Sequence, residues 1–174
     1  MALSLSFGAQ ASLTSSGSLT VFDSTQNLTW TKDANLNGQM DWTTAVTWAN
    51  NLDYAGYTDW VLPHISQLTY QFSTNLGVAL GSIAASHNDS YNLFTNVQNY
   101  AYWSGSLSQP DDPFTSWDFY SNVGFQHYSS KDGQLYAWAV PPGDFAAVPV
   151  PGAFWLFGSA MVGLIGLKRR GSIG

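Results

Sequence analysis

Apolar residues recur at helical spacing in two stretches of the chain. The first runs from Thr43 to Leu52, and the residues of its apolar face are Trp42, Ala45, Val46 and Ala49. The second runs from Ile65 to Leu76, and its apolar face comprises Ile65, Leu68, Phe72 and Leu76. Because these residues fall on one side of a helix with 3.6 residues per turn, the pattern predicts two amphipathic helices.

Short apolar and aromatic runs predict strands on both sides of these helices. The strands are expected at Leu19–Phe22, Leu28–Thr31, Ala101–Ser104, Trp117–Tyr120, Val123–Ser129 and Gln134–Val140. Asp132-Gly133 lies between the last two and indicates a two-residue hairpin that joins them. Strands, then two helices, then further strands predict an α+β domain with short antiparallel sheets.

The N-terminus carries a pattern that is typical of export. Residues 2–11 contain a short apolar stretch that ends in Ala9-Gln10-Ala11, a small-x-small sequence of the kind that signal peptidase cleaves. We interpret residues 1–11 as the remnant of a secretory signal handled by the Sec machinery, with either the true start codon upstream or the beginning of the signal missing from the sequence. An ordinary flexible N-terminus is the alternative, and the mass of the exported protein distinguishes the two.

The C-terminus predicts a membrane anchor. An uncharged stretch from Pro151 to Leu167 is followed by the basic cluster Lys168, Arg169 and Arg170. Such a stretch is close to the minimum length of a transmembrane helix, and basic clusters remain on the cytoplasmic side of a membrane. The sequence therefore predicts a transmembrane helix at about residues 151–167, with the preceding domain facing outward.

This tail closely resembles the PEP-CTERM sorting signal. The sorting motif is carried by Val148, Pro149 and Pro151, and Val150 replaces the usual Glu. Trp155-Leu156-Phe157-Gly158-Ser159 and the basic cluster complete the pattern. The resemblance implies a Gram-negative bacterium, transient membrane anchoring, processing by an exosortase, and then a place at the cell surface or in the extracellular matrix. A plain tail anchor is the alternative.

The charge of the chain narrows the choice of partners. Between residues 12 and 147, eleven Asp stand against Lys32 and Lys131, which gives a net charge of −9, and there is no Arg. Nucleic-acid binding needs Lys and Arg to neutralise phosphate groups, so nucleic acid is excluded as a partner. The chain contains no Cys, which excludes disulfides and Cys-bound zinc.

Several motifs resemble the Lcl C-terminal domain family, a bacterial domain family of unknown function. They are Leu28-Thr29-Trp30, Asp33-Ala34-Asn35, Gly56-Tyr57-x-Asp59-Trp60-x-Leu62-Pro63, Tyr102-Trp103-Ser104 and Tyr136-Ala137-Trp138-Ala139-Val140. The resemblance covers most of residues 20–145, and it implies a C-type-lectin-like fold for a domain at residues 12–147. Val61 and Gln67 stand where the family commonly has Arg and Glu, so we expect a buried ion-pair network of the family to be absent.

One polar stretch has the spacing of a calcium loop. In an EF-hand-type loop, oxygen ligands fall at positions 1, 3, 5, 7 and 9, with Gly at 6. Here the matching residues are Asp33, Asn35, Asn37, Gln39 (through its carbonyl) and Asp41, with Gly38 at position 6. Position 12 is Thr44, so affinity for calcium should be weak. An Asx-turn loop that caps the following helix is the alternative, and a thermal melt with millimolar calcium or chelator distinguishes them.

A second polar cluster lies beside aromatic residues. Asp111 and Asp112 precede Trp117 and Tyr120, and together these four residues are a candidate face for binding a sugar or an ion. A solvated loop tip beside packed aromatic residues is the alternative.

Motifs of catalysis are missing, since the chain contains neither an HxxxH pair nor a G-x-S-x-G elbow. We therefore expect no enzyme, but an exported surface or matrix protein with a lectin-like module that binds polysaccharide or another surface component. The alternatives are an envelope enzyme that acts on glycans, and a structural matrix protein without a specific ligand.

Overall fold

The computed structural model describes residues 13–78 and 86–141. Its strands are β1 (Leu13–Ser16), β2 (Thr20–Asp23), β3 (Leu28–Thr31), β4 (Gln39–Met40), β5 (Ala101–Leu107), β6 (Thr115–Tyr120), β7 (Phe125–Ser130) and β8 (Leu135–Tyr136). Its helices are α1 (Trp42–Asn50) and α2 (Ile65–Tyr70); a π-helical turn (Gln71–Asn75) follows α2, and a short 3₁₀ helix covers Asp89–Leu93.

The strands form two sheets. β1, β2 and β3 make an antiparallel sheet, and the second sheet has the order β4-β8-β5-β6-β7. In the second sheet β8 runs parallel to β5, whereas the other pairs are antiparallel. The α+β class is therefore confirmed, with one mixed sheet where only antiparallel pairing was expected.

The hairpin predicted at Asp132-Gly133 is wrong. The segment does turn, because the Gly133 N–H donates to the Ser130 carbonyl at 2.8 Å. However, β7 pairs with β6 at one edge of the sheet, whereas β8 lies between β4 and β5. β8 leaves β7 because the closing segment, including Leu135 and Trp138, is buried in the core and could not be buried beside the exposed strand β7.

Both predicted helices form, and the second ends differently. Ile65, Leu68, Phe72 and Leu76 are all buried, as their spacing predicts. α2 nevertheless ends at Tyr70, and the chain continues as the π-helical turn, in which the Leu76 N–H donates to the Gln71 carbonyl at 2.9 Å. This turn brings the amides of Gln71 and Asn75 into the protein interior, where the Asn75 amide donates to Asp23 Oδ2 at 2.6 Å.

The five-stranded sheet has a buried region on each face. Because side chains alternate along a strand, Tyr102 and Phe119 point to one face and Ala101 and Trp103 to the other. The first face packs against the apolar side of α2, with Trp30 and Trp138 in the same cluster. The second face packs against Ala45 and Ala49 of α1. We call these faces the α2 side and the α1 side of the sheet.

Within the residues that the structure describes, no helix has the length and apolar character needed to cross a membrane. The expected signal remnant at residues 1–11 and the expected transmembrane helix at about 151–167 both lie outside the described residues.

Candidate functional site

The predicted calcium loop is held together by its own side chains. Asp33 Oδ1 accepts the Asn35 N–H at 2.8 Å, and its Oδ2 accepts the Asn96 amide, also at 2.8 Å. Asn35 Oδ1 accepts the Gly38 N–H at 3.0 Å, and Gly38 adopts a φ of +72°, which a glycine reaches without strain. Asx turns therefore shape the first half of the loop.

The second half of this loop starts helix α1. Asp41 caps the helix by accepting the Thr44 N–H at 2.9 Å and the Thr44 hydroxyl at 2.7 Å, and these bonds lower the pKa of Asp41. Gln39 lies in β4 opposite Tyr136, and Asn37 is exposed. In the part of the chain that the structure describes, no three His, Cys, Asp or Glu side chains gather into a metal site. Calcium binding by Asp33, Asn35, Asn37, Gln39 and Asp41 stays a prediction.

The loop between β5 and β6 is organised by Asp112. Its Oδ2 accepts the Ser108 hydroxyl at 2.6 Å and the Thr115 hydroxyl, and its Oδ1 accepts the Phe114 N–H at 2.8 Å and the Thr115 N–H at 3.1 Å. The hydroxyls of Ser108 and Thr115, and then the Phe114 N–H, hold the pKa of this carboxyl well below its usual range. Asp111 is exposed, with a φ of +59°. The carboxylate of Asp112 thus fixes the loop in place.

Beside this loop lies an aromatic groove on the α2 side of the sheet. Trp117 of β6 is opposite Tyr128 of β7, and their rings meet edge to face with centroids 5.6 Å apart. Trp117 is half-buried, whereas Tyr128 is 54% exposed. The cavity has a volume of about 280 Å³, and the residues that line it are Ser108, Gln109, Thr115, Trp117 and Tyr128. We call it the Trp117 groove.

The face predicted from Asp111, Asp112, Trp117 and Tyr120 divides into two surfaces. Trp117 and Tyr120 are three residues apart on β6, so their side chains point to opposite faces of the sheet. Trp117 packs against the cluster on the α2 side, and Tyr120 packs against the cluster on the α1 side. Period-two alternation in the sequence could already have separated them, and the register of the β6–β7 hairpin adds Tyr128.

Tyr120 belongs to a second cavity, at the turn of the β6–β7 hairpin. This cavity has a volume of about 360 Å³ and is lined by Tyr120, Asn122, Val123, Phe125 and His127. The ring of Tyr120 lies 5.5 Å from His127, edge to face, and 6.4 Å from Phe125, nearly parallel. We call it the hairpin-tip cavity.

Behind His127 lies a buried carboxyl group that sequence reasoning missed. Asp118 is directly opposite His127 in the β6–β7 register, and its Oδ2 lies 3.9 Å from His127 Nδ1. The Asp118 side chain is fully buried, whereas that of His127 is 48% exposed. Burial raises the pKa of Asp118 to about 6, against the smaller opposing effects of Ser129 and His127.

This carboxyl group predicts an unusual dependence of stability on pH. The folded state binds the Asp118 proton more tightly than the unfolded state, whose pKa is near 3.8. The stabilisation is therefore complete below that value and is lost as the pH rises through about 6. We expect Asp118→Asn to raise the free energy of unfolding by about 1–2 kcal/mol at pH 7 and to change it little at pH 4.

Denaturant unfolding at pH 4, 5, 6 and 7 measures this difference. Asp132→Asn is the matched control, because Asp132 is exposed, and it should show no such trend. A loss of stability in Asp118→Asn at pH 7 would contradict the explanation.

Another groove differs from the Trp117 groove and the hairpin-tip cavity in the side chains that line it. It runs along α1, has a volume of about 430 Å³ and is lined by Thr43, Thr44, Thr47, Trp48, Asn51, Leu52 and Asp53. Trp48 is the one aromatic side chain in this lining, and it is half-buried. Among these cavities, the Trp117 groove and the hairpin-tip cavity present at least two aromatic rings each.

One family model matches most of the residues that the structure describes. The model of the Lcl C-terminal domain matches residues 19–141 of the 174-residue chain. The match contains all residues of the Trp117 groove and of the hairpin-tip cavity. No curated protein matches the chain.

Proposed function

The chain belongs to the Lcl C-terminal domain family, and from this premise we propose that it is a non-enzymatic surface or matrix protein that binds polysaccharide in the Trp117 groove. The observation that carries the proposal is the aromatic pair of Trp117 and Tyr128, which lies beside the hydroxyl and amide groups of a loop that Asp112 holds by hydrogen bonds. We also propose the C-type-lectin-like fold as the wider class of this α+β domain; superposition of an experimental structure on C-type-lectin domains tests this, and a different connectivity of strands and helices would exclude it.

The chemistry of a sugar ring suits this groove. A pyranose ring has an apolar C–H face and a rim of hydroxyl groups, and Trp and Tyr offer an apolar ring with a polar tip. The Gln109 amide and the Tyr128 hydroxyl can exchange hydrogen bonds with sugar hydroxyls. Because Asp112 already fixes the loop, little conformational entropy is lost on binding.

Charge favours a neutral or cationic polysaccharide. Residues 12–147 carry a net charge of −9, from eleven Asp and two Lys, and they contain no Arg. The field of such a domain repels anionic chains and attracts cationic ones. We therefore propose that uronate-rich or sulfated polysaccharides bind more weakly than neutral or amino-bearing ones.

The tail supports a location outside the inner membrane. We propose that the Sec machinery exports the chain, that the helix at about residues 151–167 anchors it transiently, and that an exosortase recognises Val148, Pro149 and Pro151. Lys168, Arg169 and Arg170 would remain cytoplasmic until the tail is removed. Mass spectrometry of the surface fraction tests this sequence of events, and a surface protein that retains Lys168–Arg170 would rule out processing.

Substitution of Trp117 tests the binding site. We expect Trp117→Ala to lower the affinity of the Trp117 groove at least tenfold in calorimetric titrations with glycans retained on a glycan array, since a stacked ring contributes on the order of 1.4 kcal/mol or more. Trp117→Phe should keep part of the affinity, because it retains an aromatic ring. Trp48→Ala, in the groove along α1, is the matched control and should bind as the unchanged chain does.

The experiment uses the full chain in a mild detergent, and thermal melts confirm that each variant is folded. Absence of binding to any neutral, cationic or anionic glycan would contradict the proposal. Turnover of a retained glycan would instead favour the envelope enzyme. Self-assembly without glycan binding would favour the structural matrix protein.

A further inference from the structure

We propose that the hairpin-tip cavity is a second saccharide site, and that the domain therefore cross-links two polysaccharide chains. The inference rests on the proposed function of the Trp117 groove. It concerns a different cavity, on the opposite face of the same hairpin.

An exposed apolar platform forms one wall of the hairpin-tip cavity. Phe125 is 46% exposed and Val123 is 37% exposed, although both are large apolar side chains. The rings of Phe125 and Tyr120 are nearly parallel, with 17° between their planes. Residues 119–130 contain no Asp, Glu, Lys or Arg. A platform of this kind suits the C–H face of an uncharged ring.

Polar groups of Asn122 and His127 lie beside this platform. The side-chain oxygen of Asn122 is buried and accepts no hydrogen bond within the described part of the chain, although such a group is costly to leave unpaired. His127 directs Nδ1 toward Asp118, which leaves Nε2 for a ligand. A sugar hydroxyl both donates and accepts, so it suits either tautomer of His127, and it reaches the Asn122 oxygen when that side chain turns toward the cavity that it lines.

These groups select a neutral saccharide. An anionic ligand would meet no Lys or Arg of the hairpin and would lie close to the Asp118 carboxyl group. An apolar ligand would leave the Asn122 oxygen unpaired. A ring with one apolar face and several hydroxyl donors matches both parts of the cavity.

The position of the cavity makes the domain bivalent. β6 and β7 place Trp117 and Tyr128 on the α2 side, and Tyr120 and His127 on the α1 side. The rings of His127 and Tyr128 stack 5.3 Å apart at the edge strand β7, and a saccharide ring in either cavity lies on its own side of this pair. Two polymer chains bound on opposite faces are joined by a single domain, and joining chains raises avidity without any new contact.

The test uses the full chain in a mild detergent with neutral hexasaccharides (cellohexaose, laminarihexaose, mannohexaose and chitohexaose) and the corresponding soluble polymers. Calorimetry should give two sites per chain for the hexasaccharide that binds. Phe125→Ala and Asn122→Ala should each reduce this number to one and lower cross-linking of the polymer, measured by light scattering, at least tenfold. Trp117→Ala should also reduce the number of sites to one and lower cross-linking at least tenfold, because it removes the Trp117 groove on the other face of the sheet.

Phe114→Ala is the control, because Phe114 is 75% exposed and lines neither cavity, and it should keep two sites. One site that is lost in Trp117→Ala and unaffected by Phe125→Ala and Asn122→Ala would overturn the second site and leave the proposed function intact. Absence of binding to all four hexasaccharides and their polymers would overturn both.

Discussion

Replacing Trp138 with alanine is expected to lower the free energy of unfolding by about 3–5 kcal/mol. Trp138 is fully buried, and its ring lies 5.0 Å from that of Trp30 and 4.9 Å from that of Phe94. Its indole N–H also donates to the Thr31 carbonyl at 2.8 Å. The substitution leaves a cavity in the middle of the core and an unpaired carbonyl, and the stability of a small domain is only about 5–15 kcal/mol.

Urea unfolding of matched variants separates these contributions. Trp138→Phe retains a ring but lacks the N–H donor, so its loss should be clearly smaller than that of Trp138→Ala. Phe114→Ala removes an exposed ring and should change stability by less than about 0.5 kcal/mol. A loss below about 1 kcal/mol in Trp138→Ala would show that this ring is not at the centre of the core.

Replacing Asp23 with alanine is expected to cost about 2–4 kcal/mol. Asp23 is fully buried, and its Oδ1 accepts the N–H groups of Thr25 and Gln26 at 2.8 and 3.1 Å. Its Oδ2 accepts the side-chain amides of Gln26 at 2.9 Å and of Asn75 at 2.6 Å. One carboxylate thus holds the β2–β3 turn and ties it to the π-helical turn. Its removal deprives the buried Asn75 amide of one of its acceptors, although Gln71 Oε1 still accepts from that amide at 2.8 Å, and it frees the donors of the turn.

Two further variants define this effect. Asp23→Asn keeps an oxygen for the Thr25 and Gln26 N–H groups but places an amide against two amide donors, so an intermediate loss is expected. Asp53→Ala removes an exposed carboxylate and should be close to neutral. Equal stability of Asp23→Ala and Asp53→Ala would contradict the role assigned to the network.

The helices could be predicted from sequence because the spacing of apolar residues along one helix face is a local feature of the chain. The spacing of Ile65, Leu68 and Phe72 needs no knowledge of what they pack against. The π-helical turn could not be predicted in this way. It depends on the contact of Asn75 with Asp23, which lies 52 residues earlier in the chain.

The strand order also could not be predicted from local sequence. Asp132-Gly133 correctly indicates a turn, but a turn does not state which strand the chain joins next. β8 joins β4 and β5 because Trp138, which follows β8 in the chain, is buried at the centre of the core. That choice is made by tertiary packing.

The candidate site was partly visible in the sequence. Trp117 could be singled out as an accessible aromatic residue, whereas Asp112, expected to face a ligand, instead holds the loop beside it. The Asp118–His127 pair has no local signal, because the two residues become neighbours only through the hairpin register. A hairpin turn at residues 121–124, had it been assigned, would have paired both Trp117 with Tyr128 and Asp118 with His127.

A titration followed by NMR tests the central claim most directly. The indole N–H groups of the isotopically labelled full chain report on each Trp separately while a neutral hexasaccharide is added. We predict that the Trp117 signal shifts, while the signals of the buried Trp30, Trp60, Trp103 and Trp138 stay in place. A saturating shift centred on Trp48, with Trp117 unchanged, would contradict binding in the Trp117 groove.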